Sequence, residues 1–166
     1  DGRLMKLPGY MCASQVAGIA SGLEIGEAVT FKHFNITDVD RKLEGTQLDT
    51  LNESGVIGLE FVRNRTVTNF RIVQDVTTYN DKADPVKNEM SVGEANDFLV
   101  SELKIELDNA FIGAKVVETS ASLIKNFVQS FLDRKKRASE IQGYTPEEVQ
   151  VVLDGDTAMI SMTIYP

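Results

Sequence analysis

The sequence predicts an α+β fold, with two long antiparallel helices packed on a mainly antiparallel sheet and a short N-terminal helix of small residues. Two patterns carry that prediction. Apolar residues recur at helical spacing over 95–111 and 123–132. Two pairs of β-branched and aromatic runs, within 56–76 and 149–165, are each divided by turn-forming residues.

The elements follow in chain order. Residues 10–22 are rich in Ala and Gly, with Pro8 ahead and Gly22 or Gly26 behind, and predict a helix. Its Ala13, Ala17, Gly18 and Ala20 permit close backbone approach, so it is expected to pack against something large, such as another domain or subunit. Residues 30–39 mix aromatic and polar side chains and predict an extended segment. Thr46 is the expected cap of a short helix through Asn52, with Leu48 and Leu51 inward and Gly55 as its stop. The runs 56–62 and 66–76, divided by Arg63-Asn64-Arg65, predict an antiparallel hairpin.

The polar stretch 78–89, which holds Pro85, predicts an exposed loop. Ser91 and Glu94 have capping-box spacing and should open the first long helix, which Gly113 ends. Its apolar positions are Ala95, Phe98, Leu99, Leu103, Leu107, Ala110 and Phe111. The second long helix, 119–138, has one stripe of Leu123, Ile124, Phe127, Val128, Phe131 and Leu132, the pattern of core packing. A strand at 149–153, an Asp154-Gly155 turn and a strand at 158–165 predict a second hairpin. No repeat, low-complexity tract or sustained heptad pattern is present.

Composition narrows the function. With 166 residues, 42% of them hydrophobic, the chain can bury a core without disulfides or metals. A net charge of −8 argues against direct binding of nucleic acid, because phosphate contacts need a basic face. The longest mostly apolar run, 11–23, is too short and too rich in Gly and Ser to span a bilayer. Asp1-Gly2-Arg3 at the start, without an initiator Met, leads us to expect part of a longer polypeptide. The Asn-x-Ser/Thr triplets at Asn35, Asn52 and Asn64 are taken as accidental.

No catalytic, cofactor or metal residues are assigned. Cys12, the single cysteine, sits among small apolar residues as a structural thiol. His33, the single histidine, lies in a strand-like segment with no nucleophile elbow nearby; a small hydrolase using it is the distant alternative. Asp38, Asp40 and Glu44 fail EF-hand spacing, and Asp154-Gly155-Asp156 is too short to cage an ion. Gly18, Gly22 and Gly26 lack the Lys-Ser/Thr continuation of a phosphate loop. Arg134, Lys135, Lys136 and Arg137 are the one concentrated basic feature. They either complement a helix C-terminus or dock on an acidic protein surface.

The order of several short motifs resembles the C-terminal region of contractile phage tail sheath proteins. The motifs are Lys6-Leu7-Pro8 before Val16-Ala17-Gly18, Leu51-Asn52 before Gly55-Val56, Arg71-Ile72-Val73 before Thr77-Thr78, Phe111-Ile112-Gly113, and the terminal hairpin around Asp154-Gly155-Asp156. Asp75-Val76 departs from the small residues common at that place.

The resemblance implies a structural subunit, not an enzyme, of a contractile sheath in the virion, assembled in the host cytoplasm. It implies six copies per ring stacked around an inner tail tube, with baseplate and tail terminator proteins as further partners. The sheath of a contractile bacteriocin or another phage-tail-like injection machine is the alternative. In this view 1–34 connects to the preceding core domain, and 35–166 form the C-terminal domain. N-terminal domains and a C-terminal arm are expected outside the chain. Arg134, Lys135, Lys136 and Arg137 then become a tube- or neighbour-docking patch, and Ala158, Ile160, Met162 and Ile164 an intersubunit strand edge.

Overall fold

The computed structural model describes residues 5–63, 68–79, 83–113, 120–155 and 157–165. It separates into two compact units, Asp1–Ala95 and Asn96–Pro166. The architecture is α+β, and among the described residues every strand pair is antiparallel, but the strands are shared among three sheets.

The first unit contains α1 (Gly9–Ala20), β1 (His33–Phe34), α2 (Gly45–Glu53), β2 (Leu59–Arg63), β3 (Thr68–Ile72), α3 (Pro85–Asn88) and the first turns of α4 (Met90–Phe111). The sheet order is β1-β3-β2, with Phe61 and Phe34 both opposite Phe70. Val29, Phe34, Phe70 and Ile72 form its buried core, onto which α1 lays Cys12, Val16, Ile19 and Ala20. β1 is short, yet backbone pairing with β3 continues beyond it. Phe31 N–H donates to the Ile72 carbonyl at 2.8 Å, and Ile72 N–H to that of Lys32 at 3.0 Å. That register holds Phe31 at φ 62°, an uncommon conformation for an aromatic residue. The Arg71 guanidinium covers its ring at 4.2 Å.

The end of α2 follows from Gly55, whose φ of 72° closes a Schellman turn. Gly55 N–H donates to Asn52 and Val56 N–H to Leu51. The start of α2 corrects the expected cap: Glu44, not Thr46, precedes the helix, and Gln47 reaches back to accept from Glu44 N–H at 3.1 Å.

The start of α4 also departs from expectation. Ser91 lies inside the first turn, and Asp75 supplies the acceptor instead. Asp75 is 3% exposed, and its Oδ2 accepts from Ser91 N–H at 2.9 Å. Its own N–H donates to Thr30 Oγ1 at 2.9 Å, so one residue ties three segments together. A carboxylate at a helix N-terminus also opposes the positive end of the dipole. The expected loop 78–89 contains the α3 turn; its residues 80–82 and the expected turn residues Asn64 and Arg65 lie outside the described residues.

The second unit contains the rest of α4, then α5 (Ala121–Arg137), β4 (Gly143–Tyr144), a 3-10 turn (Pro146–Glu148), β5 (Gln150–Asp154), β6 (Thr157–Ser161) and β7 (Ile164–Tyr165). Ser120 caps α5, its hydroxyl accepting from Leu123 N–H. Thr119, the expected start, lies outside the described residues.

The two long helices run antiparallel: Phe111 meets Phe127 edge-on at 5.5 Å, whereas Glu102 faces Lys135. Leu99 and Leu103 of α4 and Ile124, Val128, Phe131 and Leu132 of α5 form the buried seam, closed by Ile141 and Val149. The predicted strand 158–165 is divided. β6 pairs with β5, and after a break β7 pairs with β4.

Phe131 is fully buried and Leu123 is 48% exposed, though both belong to the same sequence stripe. Phe131→Ala should therefore destabilise the second unit by about 3–5 kcal/mol, and Leu123→Ala by less than about 1 kcal/mol. Denaturant unfolding followed by amide exchange within α5 measures both.

Candidate docking surfaces

The last turn of α5 places four consecutive cations at the negative end of the helix dipole, where the N–H groups of Ala138, Glu140 and Ser139 donate to the carbonyls of Arg134, Lys135 and Lys136. The helix turns them in different directions, and two are taken up inside the unit. Lys135, only 12% exposed, lies 2.6 Å from Glu102 on α4 and 2.7 Å from Glu140 beyond α5. Its ammonium also faces the rings of Phe98 and Phe131 at 6.0 and 5.6 Å. Arg134 pairs with Glu106, again on α4.

Lys136 and Arg137 are exposed and make no ion pair among the described residues. The predicted patch of four is therefore an internal pair that fastens α5 to α4 and an external pair that faces solvent. Sequence reasoning missed the fastening role, although Glu102 and Glu106, spaced one helical turn apart on α4, share a face that meets Lys135 and Arg134 respectively.

Burial works against the Lys135 charge, but the bonds to Glu102 and Glu140 outweigh it and hold this ammonium above the ordinary lysine range. Burial first, then a hydrogen bond to Asp133 at 2.9 Å, raises the Tyr144 phenol. That contact anchors β4 to α5, beside the bond from Gln129 to the Pro146 carbonyl at 3.1 Å.

The predicted strand edge is split between the two small sheets. Ile160, Met162 and Ile164 are half-buried against the helical seam, whereas Ala158 is exposed further along the same face. On the opposite face Met159 stands across from Val152, and they are 55% and 53% exposed. Among the described residues β6 pairs with β5 alone, so its other edge presents unpaired backbone groups.

The remaining chemical candidates take structural places. His33 sits on the exposed face of β1 opposite Arg71, with Phe34 turned inward. Asp38 accepts from Val39 N–H and pairs with Lys42 at 3.2 Å, contacts that lower its carboxyl below the usual range in that order of weight. Asp40 pairs with Lys6 at 2.6 Å. Among the described residues there is no cluster of three or more metal-ligating side chains, and no helix is long and apolar enough to cross a membrane. A shallow cleft in the first unit, lined in part by Glu27, Ser91 and Glu94, contains neither histidine nor cysteine.

Comparison with known proteins gives a consistent picture. The whole chain is 81% identical to part of a protein of Enterococcus phage phiEF24C described as a tail sheath protein. It is 58% identical to part of the tail sheath protein of Staphylococcus phage Twort. Over 96% of its length it is 30% identical to part of the tail sheath protein of Bacillus phage SP01. It spans 29%, 28% and 29% of these curated relatives, respectively. The fold matches the sheath tail protein Lin1278 of Listeria innocua with a TM-score of 0.68 at 16% identity, covering 91% of this chain and 37% of that one. No family model matches the chain.

The electrostatics predict an alkaline limit to the second unit. Both Lys135 and Tyr144 hold their protons more tightly in the fold than the free side chains do. Their contribution is thus fully present below about pH 10, the ordinary range for both groups, and is lost as pH rises through their raised values. The denaturation midpoint should fall as pH rises above about 10. Lys135→Met and Tyr144→Phe should each flatten that fall, and an unchanged slope in either variant would assign it to other groups.

Proposed function

We propose that the chain belongs, as a segment, with phage tail sheath proteins, and that the protein containing it polymerises as a contractile sheath. The observation that carries this reading is the match of the entire chain to tail sheath proteins of two phages. A sheath role is structural, not enzymatic. The phage relatives favour a virion over a bacteriocin-type particle.

In the proposed assembly, six copies form each ring around an inner tube, with baseplate and tail terminator proteins at the ends. Residues 1–34 lead in from the preceding core domain, and 35–166 form the C-terminal domain. Assembly takes place in the host cytoplasm and the product is the virion tail. A trigger at the baseplate then converts the stacked rings to a shorter, wider state that drives the tube forward.

Two surfaces support the reading physically. The open edge of β6 can accept a strand from another chain, gaining main-chain hydrogen bonds that its own two-stranded sheet lacks. Of the four edge residues, Ala158 and Ile160 lie in β6 and fix the face that such a strand would continue, while Met162 and Ile164 lie beyond it, in the break and in β7. Lys136 and Arg137, exposed and without an ion pair among the described residues of a chain of net charge −8, suit an acidic patch on the tube or a neighbour. In this proposal Arg134 and Lys135 serve that patch indirectly, by holding the end of α5 in place.

Electron microscopy of the full-length protein tests the reading. Helical tubes of stacked six-fold rings are expected, and dispersed monomers under every condition would contradict it. A charge reversal separates the patch from the fold. Lys136→Glu with Arg137→Glu should slow tube assembly roughly tenfold at low salt while leaving the melting temperature unchanged. Unchanged assembly kinetics would remove these residues from the docking surface.

A further inference from the structure

The outer face of α1 is out of keeping with a solvent surface. From Leu7 to Leu23 the sequence has no charged residue, although a quarter of the chain is charged. The inner face, Cys12, Val16, Ile19 and Ala20, is accounted for by the first unit's core. The other side is not: no residue of α1 is buried, and Met5, Leu7, Tyr10 and Met11 are 77%, 53%, 68% and 44% exposed. Beyond them the exposed side continues through Ala13, Ala17 and Gly18, and a side chain added at Gly18 would meet nothing within 4 Å. Large apolar groups at one end and a flat, small-residue surface at the other suit another element lying close along the helix.

We infer that this face is covered permanently by the remainder of the longer polypeptide, and not by a second copy. Two arguments select that occupant. The chain accounts for under a third of the length of the curated relatives it matches, which leaves most of each polypeptide available as cover. Surfaces that exchange partners keep polar and charged groups, because they must stand in water between encounters. A charge-free face resembles a domain core cut in half. An apolar face left open on an unassembled subunit would also invite aggregation. The inference rests on the shared length of the relatives and the chemistry of α1, and holds whether or not the sheath mechanism is correct.

Thiol labelling in the full-length protein tests it. Ala17→Cys is introduced on a background in which Cys12 is serine and any other cysteines are replaced, and folding is verified by thermal melting. The maleimide labelling rate is compared for the unassembled native protein, the assembled protein and the denatured chain. Protection of at least tenfold in the unassembled protein, relative to the denatured chain, is the expected result. Protection below tenfold in the unassembled protein overturns the inference, and its appearance only on assembly assigns the face to a second copy.

Discussion

The constraint behind this structure is a shortage of sheet. The described strands number seven, divided among three sheets, and two of those sheets have only two strands each. A two-stranded ribbon in water is marginal on its own, because one side of every strand lacks main-chain partners and both faces meet solvent. Helices must therefore provide the burial. In the second unit α5 does so, bringing Val128, Phe131 and Leu132 against α4 on one side and β4 and β5 on the other. In the first unit Phe70 and Ile72 on the central strand β3 occupy the corresponding place. What the helices do not cover stays open among the described residues, and the open parts include the edge of β6 and the outer side of α1.

Electrostatics divides in the same way between holding the fold and facing outward. The chain is acidic, yet many of its carboxylates are engaged. Glu102, Glu106 and Glu140 hold the end of α5, Glu60 pairs with Arg71, and Asp75 caps α4. Exposed pairs such as Lys6 with Asp40 contribute little in water. The largely buried Lys135 is different, because removing it would leave Glu102 without its partner at the helix seam. The turn of the helix thus divides a run of four cations between the fold and the solvent.

Much of this was legible in the sequence, for identifiable reasons. The α5 stripe and both hairpins follow from short-range periodicity, and Gly55 and Gly113 follow from the positive φ each adopts at a helix end. What escaped the sequence depends on distance along the chain. Asp75 caps a helix that begins fifteen residues later, a relation no local motif encodes. The expected Ser91 box looked correct locally and lost to that carboxylate. Glu44 displaced Thr46 because Gln47 could reach back to it. The break between β6 and β7 reflects pairing with β4, which lies on the far side of β5 and β6 in sequence. Nor does any residue pattern mark the boundary between the units, since α4 runs through it as continuous helix. Of the docking candidates, the sequence located the cations and the apolar alternation of the last strands, but not which members face outward.

The central claim is that strands left incomplete in this chain are completed by neighbouring copies. Hydrogen–deuterium exchange of the full-length protein, before and after assembly, tests it most directly. The account predicts that the amides of β6 gain at least roughly tenfold protection on assembly, while those of Val128 to Leu132 in α5 exchange equally slowly in both states. Equal exchange of the β6 amides before and after assembly would contradict it.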